Sequence, residues 1–351
     1  MQQKEIKVLV VDDSILFRKV MIDNLSKNPN IKVVGYAFNA FDAQRKIPVL
    51  NPDVITLDVE MPGMNGIDFL KQLIPKRPIP VILVSSLNIT VFDALSAGAV
   101  DFVRKPDMTK QHIVSAFFQE LVRKINIASN AKVRVPHVVG KKNLHTAPLN
   151  TNLSSVLPNK LSSTIIAIGA STGGTEATLS ILKELPADMP GIVITQHMPP
   201  GFTKMYAERL DRICKMEVRE AKSGDHIQRG LALLAPGDMQ MKVTRVGGQY
   251  SVTCFDGEKV NGHKPSVDVL FRSVAETAKQ NAIGIILTGM GHDGAAGLLE
   301  MRNQGAYTIG QSKESCVVYG MPMVAFNLGG VCIQAPCEQI PNILMQKLRE
   351  K

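Results

Sequence analysis

The sequence predicts two doubly wound α/β domains, the first built on a parallel sheet and the second on a mainly parallel one, joined by a basic linker. Three observations lead there. Short β-branched apolar runs alternate with stretches of helix length in both halves. The 351 residues suit two cores of ordinary size better than one. Between the halves lies a segment with no acidic residue and no sustained hydrophobic period.

In the first half the apolar runs fall at 6–11, 31–36, 54–57, 81–84 and 100–103, which predicts five strands with helical connections. Residues 126–162 are rich in Asn, Ser, Pro, Lys and His and read as the linker, between a first domain at 1–125 and a second at 163–351. In the second half, 164–168, 191–195, 231–234 and 283–287 read as buried strands, and 250–254 as part of a hairpin.

Apolar residues make up 45% and charged residues 20% of the chain, the balance of a globular protein, and no apolar run reaches the length of a membrane span. The N-terminus lacks a secretory pattern, because Lys4 to Val11 leads straight into Asp12 and Asp13, so a cytoplasmic location without membrane insertion is expected. Five cysteines form no disulfide framework, and Cys332 with Cys337 lacks the second pair of a zinc site. The net charge of +9 raises the question of nucleic acid. Basic residues outnumber acidic ones by 14 to 13 in 1–120, 7 to 0 in 121–162 and 19 to 18 in 163–351. Most of the excess belongs to the segment 121–162 that contains the linker, where it either keeps the segment solvated or meets an acidic surface, and neither folded half has the bias of a nucleic-acid reader.

Ligands of an open parallel sheet bind where the carboxyl ends of the strands converge. Asp12 and Asp13 end the first predicted strand, Asp58 the third, Ser85 the fourth, and Lys105 follows the fifth. Three converging carboxylates imply a cation, and ligation by oxygen alone suits Mg²⁺. A hydroxyl and an ammonium facing them suit the oxygens of a phosphoryl group on Asp58. The competing reading makes Asp12 and Asp13 caps of the following helix. The motifs VLVVDDS, DVEMPGMNG, VSSL and FVRKP resemble those of response-regulator receiver domains over residues 5–122. That resemblance implies a flavodoxin-like five-stranded sheet, Asp58 as phospho-acceptor, Mg²⁺ on Asp12, Asp13, Asp58 and the Glu60 carbonyl, and phosphoryl contacts from Ser85 and Lys105. Phe102 stands where many receivers carry an aromatic switch residue, without the hydroxyl of a tyrosine.

In the second half a predicted strand runs into Gly169-Ala170-Ser171-Thr172-Gly173-Gly174 before a helix pattern, a turn that would expose Ser171 near free N–H groups. A phosphate loop is the alternative, but the GxGxxG and GK[ST] spacings are absent. The next strand delivers His197, a general base if the two strands are neighbours, and the strand at 283–287 leads to Asp293, an orienting acid. His292 is a rival base. The order Ser, His, Asp differs from that of α/β-hydrolases. The segments GASTGGTE, ITQHMP and LTGMGHDGAAG resemble the chemotaxis protein-glutamate methylesterase family, CheB. This resemblance implies Ser171 as nucleophile, His197 as base and acid, Asp293 as orienter and the Met290 N–H as an oxyanion donor. It also implies no cofactor at this second site, chemoreceptors as substrates, a histidine kinase as phosphodonor, and deamidation of receptor glutamines by the same acyl chemistry.

Overall fold

A computed structural model of the chain describes residues 5–86, 90–135 and 158–350. The chain forms two compact units, Met1–Lys141 and Lys142–Lys351.

The first unit carries strands β1 (Ile6–Val11), β2 (Ile31–Ala37), β3 (Val54–Leu57), β4 (Val81–Ser85) and β5 (Asp101–Arg104), in the parallel order β2-β1-β3-β4-β5. Every residue of β3 and β4 is buried, as expected for central strands covered on both faces. Helices α1 (Ile15–Leu25), α2 (Ala40–Leu50), α3 (Gly66–Leu73), α4 (Thr90–Ser96) and α5 (Gln111–Ala128) make the connections. The N-cap of α1 is Ser14, whose Oγ accepts from Phe17 N at 3.3 Å. Asp12 and Asp13 are therefore not the caps of this helix.

Helix α5 runs past the expected boundary at residue 125, because its buried stripe Leu121, Lys124, Ile125 and Ala128 continues at helical spacing. A further helix, α6 (Pro158–Ser163), occupies the other described end of the expected linker. Residues 136–157 of that segment, and Leu87 of the VSSL motif, lie outside the described residues.

The second unit is a seven-stranded, wholly parallel sheet. Its strands are β6 (Ile165–Ala170), β7 (Gly191–Gln196), β8 (Glu217–Glu220), β9 (Leu231–Leu234), β12 (Ala282–Ile286), β13 (Tyr307–Gln311) and β14 (Ile333–Ala335), in the order β14-β13-β12-β6-β7-β9-β8. Strands β10 (Gln240–Val246) and β11 (Gln249–Phe255) form a separate antiparallel hairpin, the one expected from 250–254. Three sheet strands carried no clear sequence signal: β8 reads Glu-Val-Arg-Glu at an edge, β14 has three residues, and buried Thr308 and Gln311 interrupt the apolar pattern of β13.

Helices α7 (Gly174–Leu182), α8 (Phe202–Ile213), α9 (Val267–Ala278), α10 (Ala295–Asn303), α11 (Met321–Asn327) and α12 (Ile340–Arg349) cover this sheet. On α9, Val267, Leu270, Phe271, Val274 and Ala278 recur at helical spacing and are all buried in one cluster with β6, β9, β12 and the hairpin. Each large apolar side chain sealed there contributes about 1.5–3 kcal/mol. The packing leaves no room at Gly169: a Cβ there would stand 2.1 Å from Val267 Cγ1 and 3.0 Å from Phe271 Cζ. Gly169→Val is expected to destabilise the second unit by about 2–3 kcal/mol through overpacking. Chemical denaturation of the full chain measures it, and an unchanged transition would contradict this packing.

Candidate active site and acidic centre

The strand order of the first unit brings the carboxyl ends of β1, β3, β4 and β5 together. Asp12, Asp13 and Asp58 offer oxygens that all lie within 4.8 Å of one another. Asp12 and Asp58 are buried, whereas Asp13 is exposed. Lys105, one residue beyond β5, places Nζ 2.9 Å from Asp12 Oδ2 and 2.5 Å from Asp58 Oδ2. Burial, with the adjacent Asp12 charge adding to it, pushes Asp58 up to about 6 against the opposing effect of Lys105 and of the Glu60 N–H. The cluster thus has more negative charge than its single ammonium balances. An oxygen-only donor set of this charge fits a hard divalent cation such as Mg²⁺. Ser85 Oγ is buried at the same rim with no hydrogen-bond partner, as a hydroxyl awaiting an incoming oxygen would be. Phe102 is buried against Phe92, with ring centroids 6.4 Å apart, and its carbonyl accepts from Lys124 Nζ.

In the second unit the site is assembled by backbone register. Strand β6 lies between β12 and β7, with Ile286 opposite Gly169 and Ala170 opposite Gln196. The ladder continues past the strand ends: Leu287 N donates to Gly169 O at 2.8 Å, Ser171 N to Thr288 O at 3.0 Å, and His197 N to Ala170 O at 3.0 Å. The residues following three adjacent strands are thereby held side by side, at the point where the chain first steps to one side of β6 and later to the other. Gln196 Nε2 donates to Ser171 O at 2.9 Å, and Gly289 packs so closely that a Cβ there would stand 2.6 Å from Ser171 Cβ. Met290 follows directly, with its side chain exposed.

His197 Nε2 lies 2.7 Å from Asp293 Oδ2, and both side chains are buried. Nδ1 of the same ring is buried without a hydrogen-bond partner. Since the carboxylate engages one ring nitrogen, the other is left to exchange a proton. His292, the rival base, is exposed.

Asp293 is supplied with donors from a stretch that the motifs did not reveal. Ser266 Oγ at 2.7 Å, Asn261 Nδ2 at 2.9 Å and Asp268 N at 3.2 Å donate to Oδ1, and Val267 N at 2.7 Å to Oδ2. Val267 and Asp268 open α9, so the carboxylate sits on a helix N-terminus. Burial alone would raise Asp293, but the hydrogen bond and charge of His197 and the Asn261 and Ser266 donors outweigh it and hold the carboxyl well below the usual range. Asn261, His263 and Ser266 were missed in the sequence because a polar turn between a hairpin and a helix has no periodic signature. The run Asn-Gly-His-Lys-Pro was the available cue.

The profile of the CheB methylesterase family matches residues 166–344, and that of the response regulator receiver domain matches residues 8–117. A relative from Syntrophomonas wolfei, "Protein-glutamate methylesterase/protein-glutamine glutaminase 2", is 50% identical over 354 residues, covering 100% of both chains. The protein-glutamate methylesterase/protein-glutamine glutaminase of Escherichia coli K12 is 44% identical, covering 98% of this chain and 97% of its own. The crystal structure of the Thermotoga maritima CheB methylesterase catalytic domain matches with a TM-score of 0.52 and 37% identity, covering 53% of this chain and 99% of that one.

A carboxyl held below its ordinary value stabilises the fold above that value, and the contribution fades as pH falls toward the folded-state value. The parent protein should therefore lose more stability than Asp293→Asn as pH is lowered from about 5 to about 3. Thermal melts of the two proteins across that window test this, and parallel curves would contradict it.

Proposed function

The chain belongs to the CheB methylesterase family, with a response regulator receiver domain ahead of the catalytic one, and from that membership we propose that Ser171, His197 and Asp293 carry its chemistry. The activity is that of a protein-glutamate methylesterase and protein-glutamine glutaminase acting in chemotaxis adaptation. The observation that carries the residue assignment is the register of β12, β6 and β7, which sets Ser171 and His197 on neighbouring strand ends, with His197 bonded to Asp293 at 2.7 Å.

Ser171 Oγ attacks the carbonyl carbon of a glutamate methyl ester while His197 Nδ1 takes its proton. Nδ1 is the base because Nε2 is held by Asp293. Asp293 stays ionised at neutral pH and stabilises the imidazolium that forms. The Met290 N–H donates to the oxyanion. Collapse expels the alkoxide, which receives the proton from His197 and leaves as methanol. Water, deprotonated by His197, then releases Ser171 and a receptor carboxylate. A glutamine side chain follows the same course with ammonia as the leaving group. The substrates are the side chains of chemoreceptors.

In the receiver domain Asp58 accepts a phosphoryl group from a histidine kinase. Asp12, Asp13, Asp58 and the Glu60 carbonyl would hold Mg²⁺, which when bound would supply positive charge to offset that of the phosphoryl group. Lys105 and Ser85 hold the phosphoryl oxygens, a role supported by the Lys105 ion pairs and the unpartnered Ser85 hydroxyl. Phosphorylation raises esterase activity, and a hundredfold change needs only about 2.7 kcal/mol of coupling between the domains. Residues 126–162 link the two domains of this proposal, 1–125 and 163–351.

Ser171→Ala is expected to lose nearly all methanol release from methylated receptor fragments, since loss of a triad nucleophile costs orders of magnitude. Substantial turnover by that variant would exclude Ser171 as nucleophile. Asp58→Asn is expected to keep the basal rate and lose the stimulation produced by a small acyl phosphate with Mg²⁺, and a stimulated rate equal to the parent's would exclude Asp58 as acceptor.

A further inference from the structure

His263 lies parallel to His197, with ring centroids 3.7 Å apart and an interplanar angle of 8°. No step of the proposed mechanism uses it. Its backbone is fixed by reciprocal bonds with Val260, at 3.0 Å from Val260 N to His263 O and 2.9 Å from His263 N to Val260 O. Gln240 Nε2, from the hairpin, donates to the His263 carbonyl at 3.3 Å. Two residues earlier in the same turn, Asn261 adopts a left-handed conformation at φ 53° and donates to both Asp293 and Asp268. One tight turn therefore reaches the catalytic pair twice: Asn261 grips the carboxylate, and His263 covers a face of the imidazole.

The two contacts do different things. Asp293 fixes His197 at an edge but leaves the ring able to swing about the Nε2 bond, and a flat ring stacked at van der Waals distance removes that freedom. During acyl transfer His197 becomes an imidazolium. The face of a neutral aromatic ring attracts a cation, most strongly where water is excluded. A stacked cation at the same distance would oppose proton uptake instead. We propose that His263 is a positioning residue, whose neutral imidazole holds the plane of His197 and stabilises the imidazolium formed when Ser171 is deprotonated. This rests on the reading of His197 as the base.

The test uses full-length His263→Ala, His263→Phe and His263→Arg, each phosphorylated, with Ser171→Ala as reference and methanol release from methylated receptor fragments as readout. His263→Ala should lower kcat about tenfold, the scale of a desolvated cation–π contact, with KM unchanged within about twofold. His263→Phe keeps an aromatic face and should recover most of kcat. His263→Arg keeps a flat stacking group but adds a fixed charge, and should fall at or below the alanine variant. Thermal melts identify any variant that fails to fold, and the phenylalanine and arginine variants then decide between the outcomes. A kcat for His263→Ala within about twofold of the parent overturns the proposal, as does arginine rescuing as well as phenylalanine, or phenylalanine failing to rescue. If Ser171→Ala is inactive while the His263 series is flat, this inference alone fails. If Ser171→Ala is active, the catalytic assignment beneath it fails.

Discussion

The geometry of the candidate site depends on the parallel register of β12, β6 and β7. Three bonds that extend the ladder beyond the strand ends, from Leu287, Ser171 and His197, tie together three stretches of chain more than a hundred residues apart at the extremes. A slip of one residue in either pairing would turn Ser171 or His197 to the opposite face of the sheet. The fully buried α9 face and the absence of space at Gly169 resist that slip, so the hydrophobic core of the second domain sets the position of its polar site.

Two buried carboxylates illustrate how supply of donors decides charge. Asp293 receives hydrogen bonds from Asn261, Ser266, Val267, Asp268 and His197, and its ionised form is favoured despite burial. Asp58 is equally hidden but has the Asp12 charge beside it and only Lys105 and the Glu60 N–H in support, so it moves up instead. The first arrangement is complete within the protein and suits a permanent electrostatic role. The second carries excess negative charge that a cation would balance, which suits a site whose charge state changes.

Much of this was legible in the chain itself. The buried central strands are near-continuous β-branched runs, so their ends, and with them Asp12, Asp58, Ser85, Lys105, Ser171, His197 and Asp293, fall on two sheet rims by pattern alone. Peripheral elements were not legible for physical reasons. Strand β8 is an edge whose one apolar residue, Val218, stands between exposed Glu217 and half-buried Arg219 and Glu220, β14 is too short for a period, and β13 buries Thr308 and Gln311 through side-chain hydrogen bonds that a hydropathy pattern does not register. Helix α5 continues past the expected domain boundary at 125 because Ile125 and Ala128 extend a buried stripe in which Lys124, paired with Asp101 and bonded to the Phe102 carbonyl, interrupts the apolar pattern. The side-chain donors Asn261 and Ser266 to Asp293 and the ring stacked on His197 come from the turn at 260–266, where tertiary contacts alone give the residues their roles.

The central claim is that neighbouring strand ends make the Ser171 hydroxyl a nucleophile toward an acyl carbon. Its most direct measurement is acid quenching during turnover of a methylated receptor fragment, followed by mass mapping of the acylated residue. The account predicts a glutamyl ester on Ser171 that is absent from His197→Ala. An acyl group on another residue, or steady methanol release with no acyl-enzyme at any quench time, would contradict it.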